Sequence, residues 1–161
     1  MKKLFILPAL LVLIQCSPTP VQQDLINYIN VEMPKVATLE SEALEAYESI
    51  SGANYQNDST MYYTITETVL PKYEEFYALL KDIKPATEDV NQLHAKYLQA
   101  AEDQLQAFKL ILDAIEKQDP QIIIAANKDL AEGRALLTTW RASLDSACAK
   151  HQVVFTSDEE K

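Results

Sequence analysis

Glycine is the residue this chain does almost without: it occurs at positions 52 and 133 and nowhere else in 161 residues. Globular chains average about 7% glycine, because tight turns and left-handed backbone positions favour it. Folds made of βαβ units, sandwiches or barrels turn too often to dispense with it. A chain so poor in glycine is expected to be all-α, with long helices and few connections. The length is that of one domain, and a hydrophobic share of 48% is enough for a core. Gly52 falls at a helix end. Gly133 lies inside an apolar stripe, where a close approach between helices is the expected reason for it.

The apolar spacing agrees. Val21, Leu25, Tyr28, Ile29, Val36, Leu39, Ala43, Tyr47 and Ile50 recur at intervals of three and four, and Ser51-Gly52-Ala53-Asn54 ends that pattern. Asp58 or Ser59 is the expected cap of a second helix carrying Tyr62, Ile65, Val69, Tyr73, Phe76, Leu80 and Ile83. Thr87 is the expected cap of a third, with Val90, Leu93, Tyr97, Ala101, Leu105, Phe108, Leu112 and Ile115 on its face. Asp119-Pro120 starts a fourth, with Ile123, Ala126, Leu130, Leu137, Trp140, Leu144 and Ala147. Short connections between long helices predict an up-down-up-down antiparallel four-helix bundle over residues 21–155, with a disordered tail at 156–161.

Pro34 and Pro71 fall inside helical patterns, where each removes a backbone bond and clashes with the preceding turn. Kinks are expected at both. Counted from the first loop, the two prolines lie at similar heights, level with Ala100, Ala101 and Trp140. A cavity at that level would be lined by Met33, Tyr73, Tyr97 and Trp140. Trp140, the sole tryptophan, is also the residue large enough to fill the space.

The first residues read as an address. Met1-Lys2-Lys3 is basic, and Leu4 to Ile14 is an apolar run interrupted only by Pro8. Eleven such residues span roughly 16 Å of helix, about half a bilayer core, so residues 1–15 read as a signal peptide. Leu13-Ile14-Gln15-Cys16 resembles the lipobox of bacterial lipoproteins, with Gln15 standing where Gly, Ala or Ser is usual. The resemblance covers the first sixteen residues. It implies that Cys16 becomes the first mature residue and carries diacylglycerol, usually with an N-acyl chain such as palmitate. Residues 16–20 are then the acylated Cys and a short tether. The resemblance further implies a protein anchored to the bacterial cell envelope. Position 17 is Ser rather than the inner-membrane retention Asp, which points to the outer membrane, on its periplasmic or surface face.

Charge narrows the partners. Acids outnumber bases 24 to 14, and loss of Lys2 and Lys3 with the signal peptide takes the net charge from -10 to -12. No basic stripe is present to meet phosphates, so a nucleic-acid partner is not expected. Lipid, rather than charge, would hold the protein to a membrane.

Residues able to do chemistry are few. No Ser–His–Asp set, Gly-rich phosphate loop or HExxH occurs. His94 lacks the carboxylate three positions earlier that a di-iron bundle requires, and is expected to be partly exposed. Glu40, Glu42, Glu45 and Glu48 read as a solvated face without the fixed loop that calcium needs. Cys148, flanked by alanines, reads as a small core residue left unpaired once Cys16 is acylated. The run from Leu137 to Gln152 is loosely similar to the last helix of periplasmic haem-binding four-helix cytochromes. That resemblance would make Met33 and His151 the axial ligands, but their heights differ by roughly 15 Å of helix, and no cofactor or metal is expected. The reading is a non-catalytic envelope lipoprotein that binds or scaffolds an envelope protein partner. The alternative is a small-ligand or haem-type carrier using the bundle interior.

Overall fold

The computed structural model describes residues 17–154, so the signal peptide, Cys16 and the 156–161 tail lie outside the described residues. Its elements are helices α1 (Pro20–Asn27), α2 (Pro34–Glu48), α3 (Asp58–Thr64), α4 (Leu70–Asp82), α5 (Glu88–Lys117) and α6 (Pro120–Lys150). Single π-helical turns, Tyr28–Glu32 and Ile65–Val69, join α1 to α2 and α3 to α4, and Gly52–Asn54 is a short 3-10 turn. The chain is all-helical, with no strand among the described residues. No helix among them is long and apolar enough to cross a membrane.

The helix ends follow the sequence in part. Thr19 caps α1 through a reciprocal box with Gln22, and Pro20 follows it. Asp119 caps α6 through the Gln121 amide. Asn57, rather than Asp58 or Ser59, caps α3, its side chain accepting the Thr60 amide at 2.8 Å. Thr87 holds the cap position of α5 but makes no side-chain cap bond. Its hydroxyl donates to Asp24 at 2.7 Å instead, and the Ala86 and Thr87 amides reach the same carboxylate. Asp24 thus ties α1 to the start of α5, and its burial is offset by three donors. Gly52 has φ +57 and opens the short turn that follows α2, a left-handed position that glycine takes without strain. Gln118 and Gln152 also stand in the left-handed region, at φ 54 and 56, where glycine is the easier residue. Scarcity of glycine therefore costs the chain some backbone strain.

The core forms where α2, α4 and α5 meet. Tyr28, Tyr73, Phe76 and Phe108 are its largest fully buried side chains. Tyr73 packs edge-on to Phe76 and Phe108 with centroids 5.0 and 5.1 Å apart, and Tyr47 lies 5.0 Å from Phe108. Each such ring contributes on the order of 2–3 kcal/mol by burial.

Helix α5 buries two faces. One carries Ala101, Leu105 and Phe108 and turns to this core. The other carries Ala100, Gln104, Ala107, Ile111 and Ala114, also buried. Helix α6 runs antiparallel along α5: Lys150 pairs with Asp89, and Lys96 donates to Ser143. Gly133 of α6 sits where any Cβ would lie 3.0 Å from the Ala100 carbonyl and 2.9 Å from the Gln104 side chain. That close approach is the reason for the second glycine.

Candidate functional site

Both internal prolines are absorbed in the same way. A proline ring collides with the carbonyl four residues back, so an ordinary turn cannot hold it. Here the residue before each proline donates to the carbonyl five back: Met33 to Tyr28, at 2.9 Å, and Leu70 to Ile65. The widened turn makes room for the ring. Tyr28 opens the first π-turn and Tyr73 follows Pro71, and both point into the interior, 1% and 0% exposed.

Polar atoms gather at this level. The Tyr28 hydroxyl and His94 Nδ1 share a hydrogen bond of 3.2 Å. The indole nitrogen of Trp140 also acts on the Tyr28 oxygen, yet makes no hydrogen bond of good geometry. The Tyr97 hydroxyl donates to Glu40. Among the described residues the Tyr73 hydroxyl and Trp140 Nε1 are buried without a hydrogen-bond partner, and His94 Nε2 makes none of good geometry, although the Leu80 carbonyl acts on its ring. Such groups each cost roughly 1–3 kcal/mol, and clusters of them mark sites retained for something other than stability. Burial pushes Tyr28, Tyr73 and Tyr97 far above the usual tyrosine range. It also raises Glu40, against the opposing pull of the Tyr97 hydroxyl and the Arg141 charge, and lowers His94.

On the solvent side of this cluster a groove of about 520 Å³ runs between α2 and α6, with Tyr97 of α5 at its floor. Glu40 and Leu44 form one wall. Leu137, Thr138, Trp140, Arg141, Ala142 and Asp145 form the other. Tyr97 and Trp140 are stacked, with centroids 4.5 Å apart and planes 20° from parallel. The stack locks Trp140 in place. A second groove, of about 640 Å³, follows the outer side of α5 and α6 and includes Lys96, Ser143, Lys150 and His151.

Tyr97 and Trp140 therefore meet in the groove, whereas Tyr73 is sealed in the core and Met33 is half-buried against it. His94 is 4% exposed rather than partly exposed, because its ring packs edge-on against Tyr28 at 5.7 Å. Glu42, Glu45 and Glu48 are exposed, but Glu40 turns inward to Tyr97 and leaves the solvated face. His151 ends α6, with Nε2 3.5 Å from Asp89, and Cys148 is 2% exposed, its thiol pKa raised by burial. Among the described residues no group of three His, Cys, Asp or Glu side chains is placed to hold a metal ion. Arg141 and Asp145 could not be picked out in sequence, since nothing distinguishes them from other surface charges until α2 is brought opposite.

No protein-family model, curated protein or solved structure matches this chain.

Proposed function

We propose that the chain is a lipid-tethered, non-catalytic binding protein of the bacterial cell envelope, built as an up-down four-helix bundle. The observation that carries the tether is the position of the first cap. Thr19 and Gln22 close the start of α1, so the folded body begins three residues after Cys16. Two or three acyl chains on Cys16 would hold that end against a bilayer durably. Side-chain pairs support the bundle. Tyr62 with Glu116 and Lys109 with Glu74 match α3 and α4 antiparallel to α5, as Lys150 with Asp89 does for α6. The mature chain's net charge of -12 argues for a protein or small-molecule partner rather than anionic lipid or nucleic acid.

Growth with a labelled palmitate, followed by membrane fractionation, tests the tether. Wild type should take up label and sediment with membranes, and Cys16→Ala should do neither. Equal labelling or equal membrane association of the two would contradict the tether.

A second reading, that the protein carries a small ligand, is favoured by the groove between α2 and α6. Its volume lies in the range of small-molecule sites, and its aromatic stack is held in place before any ligand arrives.

A further inference from the structure

We infer that the groove between α2 and α6 is a binding site for a zwitterionic, amino-acid-like small molecule, one carrying an ammonium and a carboxylate on an apolar body. This rests on the ligand-carrier reading of the groove and is independent of the Cys16 tether. Three charged groups line the groove: Glu40, Arg141 and Asp145. None of them forms an ion pair among the described residues, although six of the nine described lysines do. Glu40 receives only the Tyr97 hydroxyl, which fixes its carboxylate in the wall. Arg141 is close enough for its charge to act on Glu40 without bridging it. Charges of both signs thus face one small apolar trough.

The ligand class follows by elimination. A simple anion could use Arg141 but would meet two carboxylates. A simple amine could use those carboxylates and the face of Trp140, but would leave the guanidinium uncovered and repelled. A molecule with both groups satisfies all three, its carboxylate taking the fork of Arg141. Leu44, Leu137 and Trp140 provide an apolar bed for its body. The Tyr97–Trp140 stack fixes that bed, so little side-chain entropy is lost on binding.

Trp140 is the only tryptophan in the chain, so its emission reports on this groove alone. The full chain, in detergent, is titrated with phenylalanine, phenethylamine and phenylpropionate, exciting at wavelengths that these probes do not absorb. Phenylalanine should give a saturable change, and the two single-charge analogues should bind at least about tenfold more weakly. Arg141→Gln should reduce phenylalanine binding to the level of the amine, and Glu40→Gln should reduce it to that of the acid. Arg141 is exposed and Glu40 half-buried in the groove wall, and far-UV circular dichroism checks that the variants stay folded. Thr138→Phe, at an exposed position that lines this groove and not the outer one, should abolish the response. Phenethylamine binding as tightly as phenylalanine would overturn the zwitterion assignment in favour of a simple cation site. No saturable response to any of the three would overturn the site itself, and would leave the palmitate experiment on Cys16 unaffected.

Discussion

Helix α6 meets its two neighbours in opposite ways. Against α5 the contact is between backbones: Gly133 lies on the Ala100 carbonyl, and Ala107 and Ala114 continue the small-residue face of α5. Against α2 the backbones scarcely approach. There the helices meet through long side chains, Glu40 and Leu44 on one side and Leu137, Trp140 and Arg141 on the other. The α5–α6 seam is closed at Gly133, its own groove lying on the outer face between Asp89 and His151, whereas the α2–α6 seam opens beside Trp140. The two seams meet at Trp140, which stacks on Tyr97 of α5 and lines the groove toward α2. The closed seam carries stability. The open seam carries the unpaired charges, while unpartnered buried atoms border both seams: those of Tyr73, His94 and Trp140 near the groove, and those of Gln104 and His151 on the closed side.

This contrast is sharpened first at Gly133. Gly133→Val should destabilise by about 3 kcal/mol, because its Cβ meets backbone and the helices must part. Ala142→Leu, which adds the same three carbons at an exposed position on the rim of the open seam, should change stability by less than about 0.5 kcal/mol. Urea denaturation of both variants checks the pair, and equal losses would erase the distinction between seams. Next in size is Tyr73→Phe. It removes a buried hydroxyl that has no partner and leaves the ring's contacts with Phe76 and Phe108 in place. It should stabilise by about 1 kcal/mol. A loss of stability would mean that the hydroxyl is satisfied.

The smallest effect is a pH dependence at Glu40. Burial raises its folded-state pKa above the ordinary carboxylate value of 4.5. At neutral pH the folded state therefore bears the cost of a buried charge. As pH falls through the raised pKa, the folded state takes up a proton before the unfolded chain does, and stability rises relative to a variant that cannot titrate. Glu40→Gln keeps an acceptor for the Tyr97 hydroxyl. It should melt at a higher temperature than wild type near neutral pH, and the gap should close as pH falls to the ordinary carboxylate value. His94 works in the opposite sense: its lowered pKa costs stability as pH falls below the usual histidine value of 6.5. Both chains share that contribution, so it cancels in the comparison. A gap independent of pH would place Glu40 in solvent.

Much of the fold was legible in the sequence. Scarce glycine and apolar spacing gave helices in the right places, because both are properties of local backbone geometry. The second buried face of α5 was missed. Ala100, Gln104, Ala107 and Ala114 carry little hydrophobic signal and are buried only because Gly133 lets α6 approach. Pro34 and Pro71 marked the right level, but the π-turns that absorb them depend on where the displaced carbonyl can go. Of the residues picked out at that level, Tyr97 and Trp140 reach the groove, since each stands on an inward stripe facing the other. Met33 and Tyr73 do not line it: Tyr73 follows its stripe into the core against Phe76 and Phe108, and Met33 packs half-buried against that core. The roles of Glu40 and Arg141 come from tertiary neighbours and leave no periodic trace.

Acrylamide quenching of Trp140 emission tests the central contrast most directly. An open α2–α6 seam predicts that Trp140 is quenched in the wild type and that Thr138→Phe, which fills the groove, protects it. Emission as resistant to acrylamide as a core tryptophan, and unchanged by Thr138→Phe, would show that the α2–α6 seam is sealed.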